Sequence, residues 1–169
     1  MRNLFNTYRD IFISKFNVSE ERFNADFNEW VINRGMDVQS KNDFIWRIFN
    51  RLVFEAPSKD GNLYQNLRDV YGEMFGFLIK EKKSASHILR QIHYCDLALH
   101  EERNYVIEVV VHSSDCCPEC NSIEGLKMTV EEALKKEIIP LRDCTRSKGC
   151  ICFYGFRAKR DQNGTIVMK

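Results

Sequence analysis

The spacing of apolar positions in the N-terminal region predicts a series of amphipathic helices. One apolar stripe consists of Phe23, Phe27, Trp30 and Val31. Asn17 or Ser19 can cap the start of this helix, because a short polar side chain accepts a hydrogen bond from the first free N–H groups. Gly35 suits its end, because glycine adopts the left-handed conformation without a steric penalty.

Further helices are predicted after Gly35. The run SKND places Ser40 at a predicted N-cap with Asp43 three residues later, an arrangement that favours a helix start. A longer helix is predicted from about residue 62 to residue 80, and another is predicted to begin near Ser84 or Ser86. Together these segments predict a helical bundle. No residue pattern in this region indicates catalysis.

The hydrophobic period changes at Tyr105. The run YVIEVVV has the β-branched composition and the short length of a strand, and CICFYGFRA at residues 150–158 predicts a second one. Asn163 and Gly164 suit a type I′ turn, in which both central residues need a positive φ angle. We therefore predict a C-terminal β-hairpin.

A short helix is predicted between these strands. Thr129 and Glu132 have the spacing of a capping box, and the helix is expected to end before Pro140. Together the elements predict an α+β fold, with an N-terminal helical bundle in residues 1–103 and a small β-hairpin module in residues 104–169. The alternative is one continuous domain.

The seven cysteines are unevenly distributed. Cys95 stands alone, and the others lie in the last third of the chain: Cys116, Cys117, Cys120, Cys144, Cys150 and Cys152. The chain start predicts an ordinary helix rather than a secretory signal, and no stretch has the roughly 18 apolar residues of a membrane span. We therefore expect a cytoplasmic protein with no membrane segment, in which thiols stay reduced or bind metal.

Zinc binding is the interpretation that fits the cysteine pattern best. A C-x-x-C knuckle turns two sulfurs toward one point, and tetrahedral Zn²⁺ needs two more donors. The predicted ligands are Cys117, Cys120, Cys144 and Cys150, with Cys152 as the rival for the last position. Gly149 permits the backbone to turn just before Cys150. Cys116 is expected to point away from the site. Four thiolates close the coordination shell, which is typical of a structural ion.

Two other interpretations of the cysteines stay open. A strand that leads into Cys117-Pro118-Glu119-Cys120 is similar to the active-site entry of glutaredoxins, which indicates a thiol oxidoreductase. Gly125 breaks the following segment too soon for the long helix of that fold. The remaining interpretation is a set of inert buried thiols, although C-x-x-C and C-x-C spacings beside Gly or Pro are not typical of a core.

The run from Cys117 to Cys152 resembles the C-terminal motif of the Mu F-like phage head-morphogenesis family. The matching positions are Cys117, Pro118, Cys120, Gly125, Pro140, Cys150 and Cys152. Cys144 stands roughly where the family has a histidine, and its spacing to Cys150 is longer. The resemblance covers 36 residues and implies a small metal-knuckle module of a phage-derived or mobile-element protein.

A basic C-terminal region suggests nucleic-acid binding as an alternative function. Residues 133–169 contain nine Lys and Arg against three Asp and Glu, in a chain with a net charge of +1. The candidate nucleic-acid contacts are Arg146, Lys148, Arg157, Lys159 and Arg160. Tyr154 and Phe156 can add stacking on bases. A simpler explanation is that these cations balance the negative charge of a four-thiolate zinc site.

These observations predict a zinc-binding structural or interaction protein that acts by binding or assembly. We expect a structural zinc ion and a protein partner, and no catalytic residue is predicted. The ion would replace hydrophobic area that a module of short strands cannot bury alone. The alternatives are a nucleic-acid-binding zinc protein and a C-P-x-C thiol oxidoreductase.

Overall fold

The computed structural model describes residues 3–113, 117–147 and 149–169. Two residues named above, Cys116 and Lys148, lie outside the described part of the chain. The fold is α+β, as predicted: helices are followed by a small antiparallel sheet in the C-terminal region. The chain divides into two compact units, residues 1–58 and residues 59–169.

The first unit consists of three helices. They are α1 (Leu4–Ser14), α2 (Glu20–Arg34) and α3 (Val38–Glu55), and a 3-10 turn (Ala56–Ser58) follows. Ser19 caps α2 by accepting a hydrogen bond from the N–H of Arg22. Gly35 ends the helix with a φ angle of 84°. Both ends of α2 are therefore set by local chemistry that the sequence predicts.

The start of α3 differs from the prediction that Ser40 caps this helix. Asp37 is the N-cap, and its carboxylate accepts the N–H of Ser40 at 2.7 Å. The Ser40 hydroxyl instead accepts the indole N–H of Trp30 at 2.9 Å and donates to the carbonyl of Gly35 at 2.9 Å. Asp37 and Ser40 could both cap this helix start. Because the Ser40 hydroxyl is hydrogen-bonded to Trp30 and Gly35, Asp37 is the cap.

Aromatic rings form much of the core of the first unit. Phe12 meets Phe49 edge-on at a centroid distance of 4.9 Å, and Phe23 meets Phe44 edge-on at 5.3 Å. All four side chains are buried. Edge-to-face pairs of this kind are favourable beyond the area that they bury. The first unit therefore has a hydrophobic core of its own.

The second unit begins with two long helices, α4 (Leu63–Lys80) and α5 (Ser86–Glu101), which pack against each other. Asn62 caps α4 by accepting hydrogen bonds from two backbone N–H groups. Neither Ser84 nor Ser86 caps α5, because Ala85 occupies the N-cap and no side chain satisfies the first N–H groups. The start of α5 is thus left uncapped.

A three-stranded sheet follows, with β1 (Ile107–His112) between β2 (Lys127–Thr129) and β3 (Phe153–Ala158). Both neighbours pair antiparallel with β1. Alternate side chains of β1 face the core of the second unit: Ile107, Val109 and Val111. The sequence did not predict β2, and β3 starts three residues later than residue 150, so Cys150 and Cys152 lie before it.

Two short helices connect the strands, α6 (Pro118–Asn121) and α7 (Val130–Lys136). The predicted capping box is present: Thr129 Oγ1 accepts the N–H of Glu132 at 3.1 Å, and the Glu132 carboxylate accepts the N–H of Thr129 at 3.0 Å. Helix α7 ends at Lys136, with Glu137 as its C-cap, before Pro140 as expected. No strand or helix occurs in the described residues between α7 and β3.

The C-terminal hairpin is present, but its turn is not type I′. Arg160 pairs with Ile166, and only Gly164, not Asn163, has a positive φ angle. The Asp161 carboxylate accepts the N–H groups of Asn163 and Thr165, both at 2.9 Å. This side chain stabilises a longer loop that ends in a left-handed glycine, which is another common hairpin connection.

The division at residue 58 differs from the predicted boundary at residue 103. Helix α5 packs against α7, and Leu97 belongs to the same buried cluster as Val109 and Cys120. The second unit therefore includes α4 and α5 as well as the sheet. None of the helices in the described residues has the length and apolar content of a membrane span.

Candidate metal centre

Five cysteines from three segments come together in the second unit. Cys117 precedes α6 and Cys120 lies within it, Cys144 lies in the loop after α7, and Cys150 and Cys152 lie just before β3. Four of the five are buried, and Cys144 is partly exposed. The buried four belong to the core cluster that covers β1.

The sulfur atoms are spaced as metal ligands would be. Cys117 Sγ lies 3.9 Å from Cys144 Sγ, and Cys120 Sγ lies 3.8 Å from Cys150 Sγ. Two groups of three thiols have all their sulfurs within 4.8 Å of one another, and Cys120 belongs to both groups. An ion about 2.3 Å from four tetrahedral sulfurs would hold them about 3.8 Å apart. The cluster can therefore hold a metal ion.

Local backbone structure builds the first half of the cluster. Cys117 is the N-cap of α6, and its sulfur accepts the N–H of Cys120 at 3.4 Å. Pro118 occupies the first helical position, where its lack of an N–H is harmless. The short turn brings both sulfurs to the same side, as a C-x-x-C knuckle requires.

Gly149 shapes the second half of the cluster. Its φ angle is 84°, and its N–H donates to the carbonyl of Arg146 at 2.9 Å, which turns the chain just before Cys150. A Cβ atom at this position would lie 2.5 Å from the Ser86 hydroxyl oxygen. The backbone conformation thus favours glycine, and any larger residue would have to displace the Ser86 hydroxyl at the start of α5.

The thiols differ in acidity. The N–H of Cys120 lowers the pKa of Cys117 below its usual value. Burial opposes ionisation of Cys150, but the N–H groups of Cys152 and Leu141 bring its pKa below the usual value. Burial raises the pKa of Cys120 and that of Cys144. A bound cation would favour the thiolate form of all its ligands, because a coordinating thiol gives up its proton.

Cys152 also forms a hydrogen bond to a residue outside the cysteine cluster. Its thiol donates to the carbonyl oxygen of Ser113 at 3.8 Å, and the Ser113 hydroxyl donates to the side chain of Asn121 at 2.9 Å. Glu124 accepts the N–H of Ser113, which also ties the end of β1 to the segment after α6. Both Cys150 and Cys152 are near Cys120, so the choice between them as last ligand stays a prediction.

The surroundings of Cys95 and Cys117 bear on whether these thiols are reactive. The six described cysteines form no disulfide. Cys95 lies on α5 apart from the cluster, and burial raises its pKa to about 11. Cys117 is at a helix start, but α6 is only four residues long. Such a short helix provides little dipole to activate a thiol.

The residues predicted to contact nucleic acid do not form one described group. Arg146 lies in the loop before Gly149, whereas Arg157, Lys159 and Arg160 are exposed on β3 and beyond it. The prediction that two rings are free to stack on bases is wrong. Tyr154 is buried in the core cluster, and Phe156 stacks on His100 at a centroid distance of 3.7 Å.

Arg90 is a candidate functional residue that the sequence did not reveal. It lies on α5 and lines an open cleft beside Cys144 and Cys150, together with Arg146. No sequence pattern marks this position on the helix. The cleft forms only because the loop after α7 folds back against α5. No local signal could have predicted this meeting.

Comparisons with protein-family models, curated proteins and solved structures found no match to this chain. The likeness to the Mu F-like motif therefore stays a prediction. Functional inference rests on the geometry of the cysteine cluster and its surroundings.

Proposed function

We propose that this protein holds a structural Zn²⁺ in its cysteine cluster and acts by binding or assembly rather than by catalysis. The observation that carries this proposal is the convergence of three chain segments on Cys120, with sulfur–sulfur distances of 3.8 and 3.9 Å in two pairs. Zinc and iron are the metals that tetrahedral four-sulfur sites favour, and zinc is the usual ion of C-x-x-C knuckles.

The proposed ligands are the first group of three, Cys117, Cys120 and Cys144, together with Cys150 from the second group. Both Cys150 Sγ and Cys152 Sγ lie within 4.8 Å of Cys120 Sγ, and Cys150 is favoured because backbone N–H groups lower its pKa. The contact of the Cys152 thiol with the Ser113 carbonyl suits a protonated thiol that packs beside the site.

A closed set of four thiolates supports a structural role for the ion. A catalytic zinc keeps a coordination position open for water or substrate, and four sulfurs leave none. The described chain between α7 and β3 has no helix or strand, so it lacks a hydrogen-bonded ladder of its own. Metal ligation at Cys144 and Cys150 would fix this segment against α6.

The role in binding or assembly rests on the resemblance to the Mu F-like motif. In this proposal the zinc module stabilises a chain that joins a phage-derived or mobile-element assembly through another protein. The ion supplies cohesion, and the surface of the folded unit supplies the contact.

Elemental analysis of the purified protein tests the zinc site directly. We expect one zinc per chain under reducing conditions, and we expect chelation to expose four additional thiols to a thiol reagent. Cys120→Ala removes the sulfur shared by both groups and should abolish zinc binding. Cys95→Ala, which removes a buried cysteine outside the cluster, should retain one zinc per chain.

The same measurements separate the alternatives. Metal-free protein with disulfide exchange that is lost in Cys117→Ser would favour a thiol oxidoreductase and contradict the zinc proposal. Iron in place of zinc would keep the ligand set but overturn the assignment of the metal. Retention of zinc in Cys120→Ala would overturn the ligand set itself.

A further inference from the structure

An open cleft of about 380 Å³ lies beside the cysteine cluster, at the start of α5. Its volume is within the range of about 300 to 1,000 Å³ that is common for small-ligand sites. Three arginines, Arg90, Arg142 and Arg146, line it together with His87 and several serines. No described acidic residue lines it. The cleft is therefore strongly basic.

The guanidinium groups of the cleft have no partners among the described residues. Among the described residues, no ion pair or side-chain hydrogen bond involves Arg90, Arg142 or Arg146, although other surface arginines such as Arg9 and Arg68 pair with carboxylates. Arg90 Nε and Arg146 Nη1 are shielded from solvent, so a ligand in the open cleft would meet the other N–H groups of these side chains. Because a guanidinium group carries five N–H donors, each of these arginines keeps donors for an acceptor in the cleft.

Other donors face the same space. Helix α5 starts at Ser86 without a side-chain cap and has no acidic residue in its first turn. The hydroxyl groups of Ser84 and Ser86 lie close to Gly149 on the wall of the cleft. Hydroxyl and N–H donors together with guanidinium groups are the contacts that proteins use for phosphate.

We propose that this cleft binds a phosphate group through Arg90, Arg142 and Arg146. A tetrahedral oxyanion has enough acceptors for several donors at once, and guanidinium groups match it in pairs of hydrogen bonds. A small compound and a nucleic-acid backbone both carry such a phosphate, and the chemistry of the contacts is the same. The cleft thus gives this chain a ligand-binding site beside the metal centre, with Cys144 and Cys150 in its lining.

The thiolates of the metal site would not cancel the positive charge of the cleft. Cys144 and Cys150 line the same cleft, and a four-thiolate zinc centre is negatively charged. Three guanidinium groups outweigh the two negative charges of such a centre, so the cleft keeps a positive charge. The buried guanidinium atoms also make no hydrogen bond to a described sulfur.

Titration of the zinc-loaded, full-length protein with inorganic phosphate tests the site. In ¹⁵N-labelled protein at low ionic strength, the amide signals of Ser86, His87 and Gly149 should shift and saturate. Arg142→Gln and Arg146→Gln should each weaken phosphate binding about tenfold or more, because each removes a charged hydrogen-bond donor. Arg103→Gln is the matched control: Arg103 is exposed just beyond the other end of α5, and its loss should change affinity less than about twofold.

A single-stranded oligodeoxynucleotide distinguishes the source of the phosphate. If it shifts the same amide signals and inorganic phosphate displaces it, the ligand is a nucleic-acid backbone; if only inorganic phosphate binds, the ligand is a small phosphate compound. Either result supports the site. Absence of binding in both titrations, or equal affinity in Arg142→Gln, Arg146→Gln and Arg103→Gln, overturns it.

Metal content measured on every variant keeps this test separate from that of the zinc site. Arg142 is exposed, so Arg142→Gln should keep its metal and carry the test even if Arg146→Gln loses it. Phosphate binding by a protein without zinc would contradict only the metal proposal. A zinc-loaded protein without phosphate binding would contradict only the phosphate site.

Discussion

At the scale of single residues, Cys150 and Cys152 are close in sequence but differ in their surroundings. Both sulfurs lie within 4.8 Å of Cys120 Sγ, but the Cys152 thiol also donates to the carbonyl oxygen of Ser113. Cys150→Ala should weaken zinc binding more than about a hundredfold, because loss of a ligand exceeds the tenfold to hundredfold effect of an outer contact. Cys152→Ala should bind zinc within about tenfold of the unaltered protein. Competition with a chelator measures both affinities, and a reversed order would make Cys152 the ligand.

His93 is a second residue with a specific expected behaviour. It is buried on α5, its Nδ1 atom lies 3.4 Å from the carbonyl oxygen of Ile139, and Arg90, Glu137 and Tyr154 line the same small cavity. Burial lowers the pKa of His93 below its usual value. In the unfolded chain a histidine titrates near pH 6.5, so below that pH the unfolded state binds more protons and stability decreases.

The free energy of unfolding should therefore decrease as the pH is lowered from about 7 to 5, and it should decrease less steeply in His93→Asn. Asparagine can still donate to the carbonyl of Ile139 but does not titrate. Denaturant unfolding at several pH values, with zinc content checked at each, gives the two slopes. Equal slopes would mean that His93 does not titrate differently in the folded and unfolded states.

At the scale of secondary-structure elements, the turn at Gly149 couples the cysteine cluster to α5. Gly149→Ala must adopt a positive φ angle and bring a Cβ atom to 2.5 Å from the Ser86 hydroxyl oxygen. Gly164→Ala is the matched control, because Gly164 has a φ angle of 81° but a Cβ atom there would meet no described atom within 4 Å. Both changes should cost about 1 to 2 kcal/mol of backbone strain, and Gly149→Ala should cost more.

Thermal or denaturant unfolding of the two variants measures this difference, and Ser86→Ala should reduce the cost of Gly149→Ala by removing the hydroxyl. If the two glycine variants are equally stable, the close approach to α5 has no energetic consequence. Loss of zinc affinity in Gly149→Ala but not in Gly164→Ala would connect the turn to the metal ligands.

Helix ends that depend on neighbouring residues could be predicted from the sequence, whereas structure that depends on distant contacts could not. The capping box of Thr129 and Glu132 and the end of α2 at Gly35 depend on a few neighbouring residues, and the sequence predicts both. Strand β2 has only three residues and exists because it pairs with β1, which no local pattern reveals. The choice of Asp37 over Ser40 as a cap depends on the hydrogen bond from Trp30.

At the scale of the whole molecule, the two units rely on different sources of stability. The first has a core of interlocking aromatic rings. In the second, four buried cysteines form part of the core, and the segment between α7 and β3 has no helix or strand among its described residues. The clustering of six cysteines in one third of the sequence predicts a metal site there, but the approach of Arg90 depends on the path of the folded loop.

Zinc removal should therefore affect the two units unequally. Because the free energy of metal binding contributes to folding, chelation should accelerate amide hydrogen exchange in β1 and β3 by more than about a hundredfold. Exchange in α1 and α3 should change less than about threefold, since their buried aromatic residues bind no metal. Exchange measured by mass spectrometry with and without chelator, using Cys120→Ala as the metal-free reference, separates the two responses. Uniform acceleration across both units would show that the ion stabilises the whole chain, and no acceleration would show that the second unit folds without it.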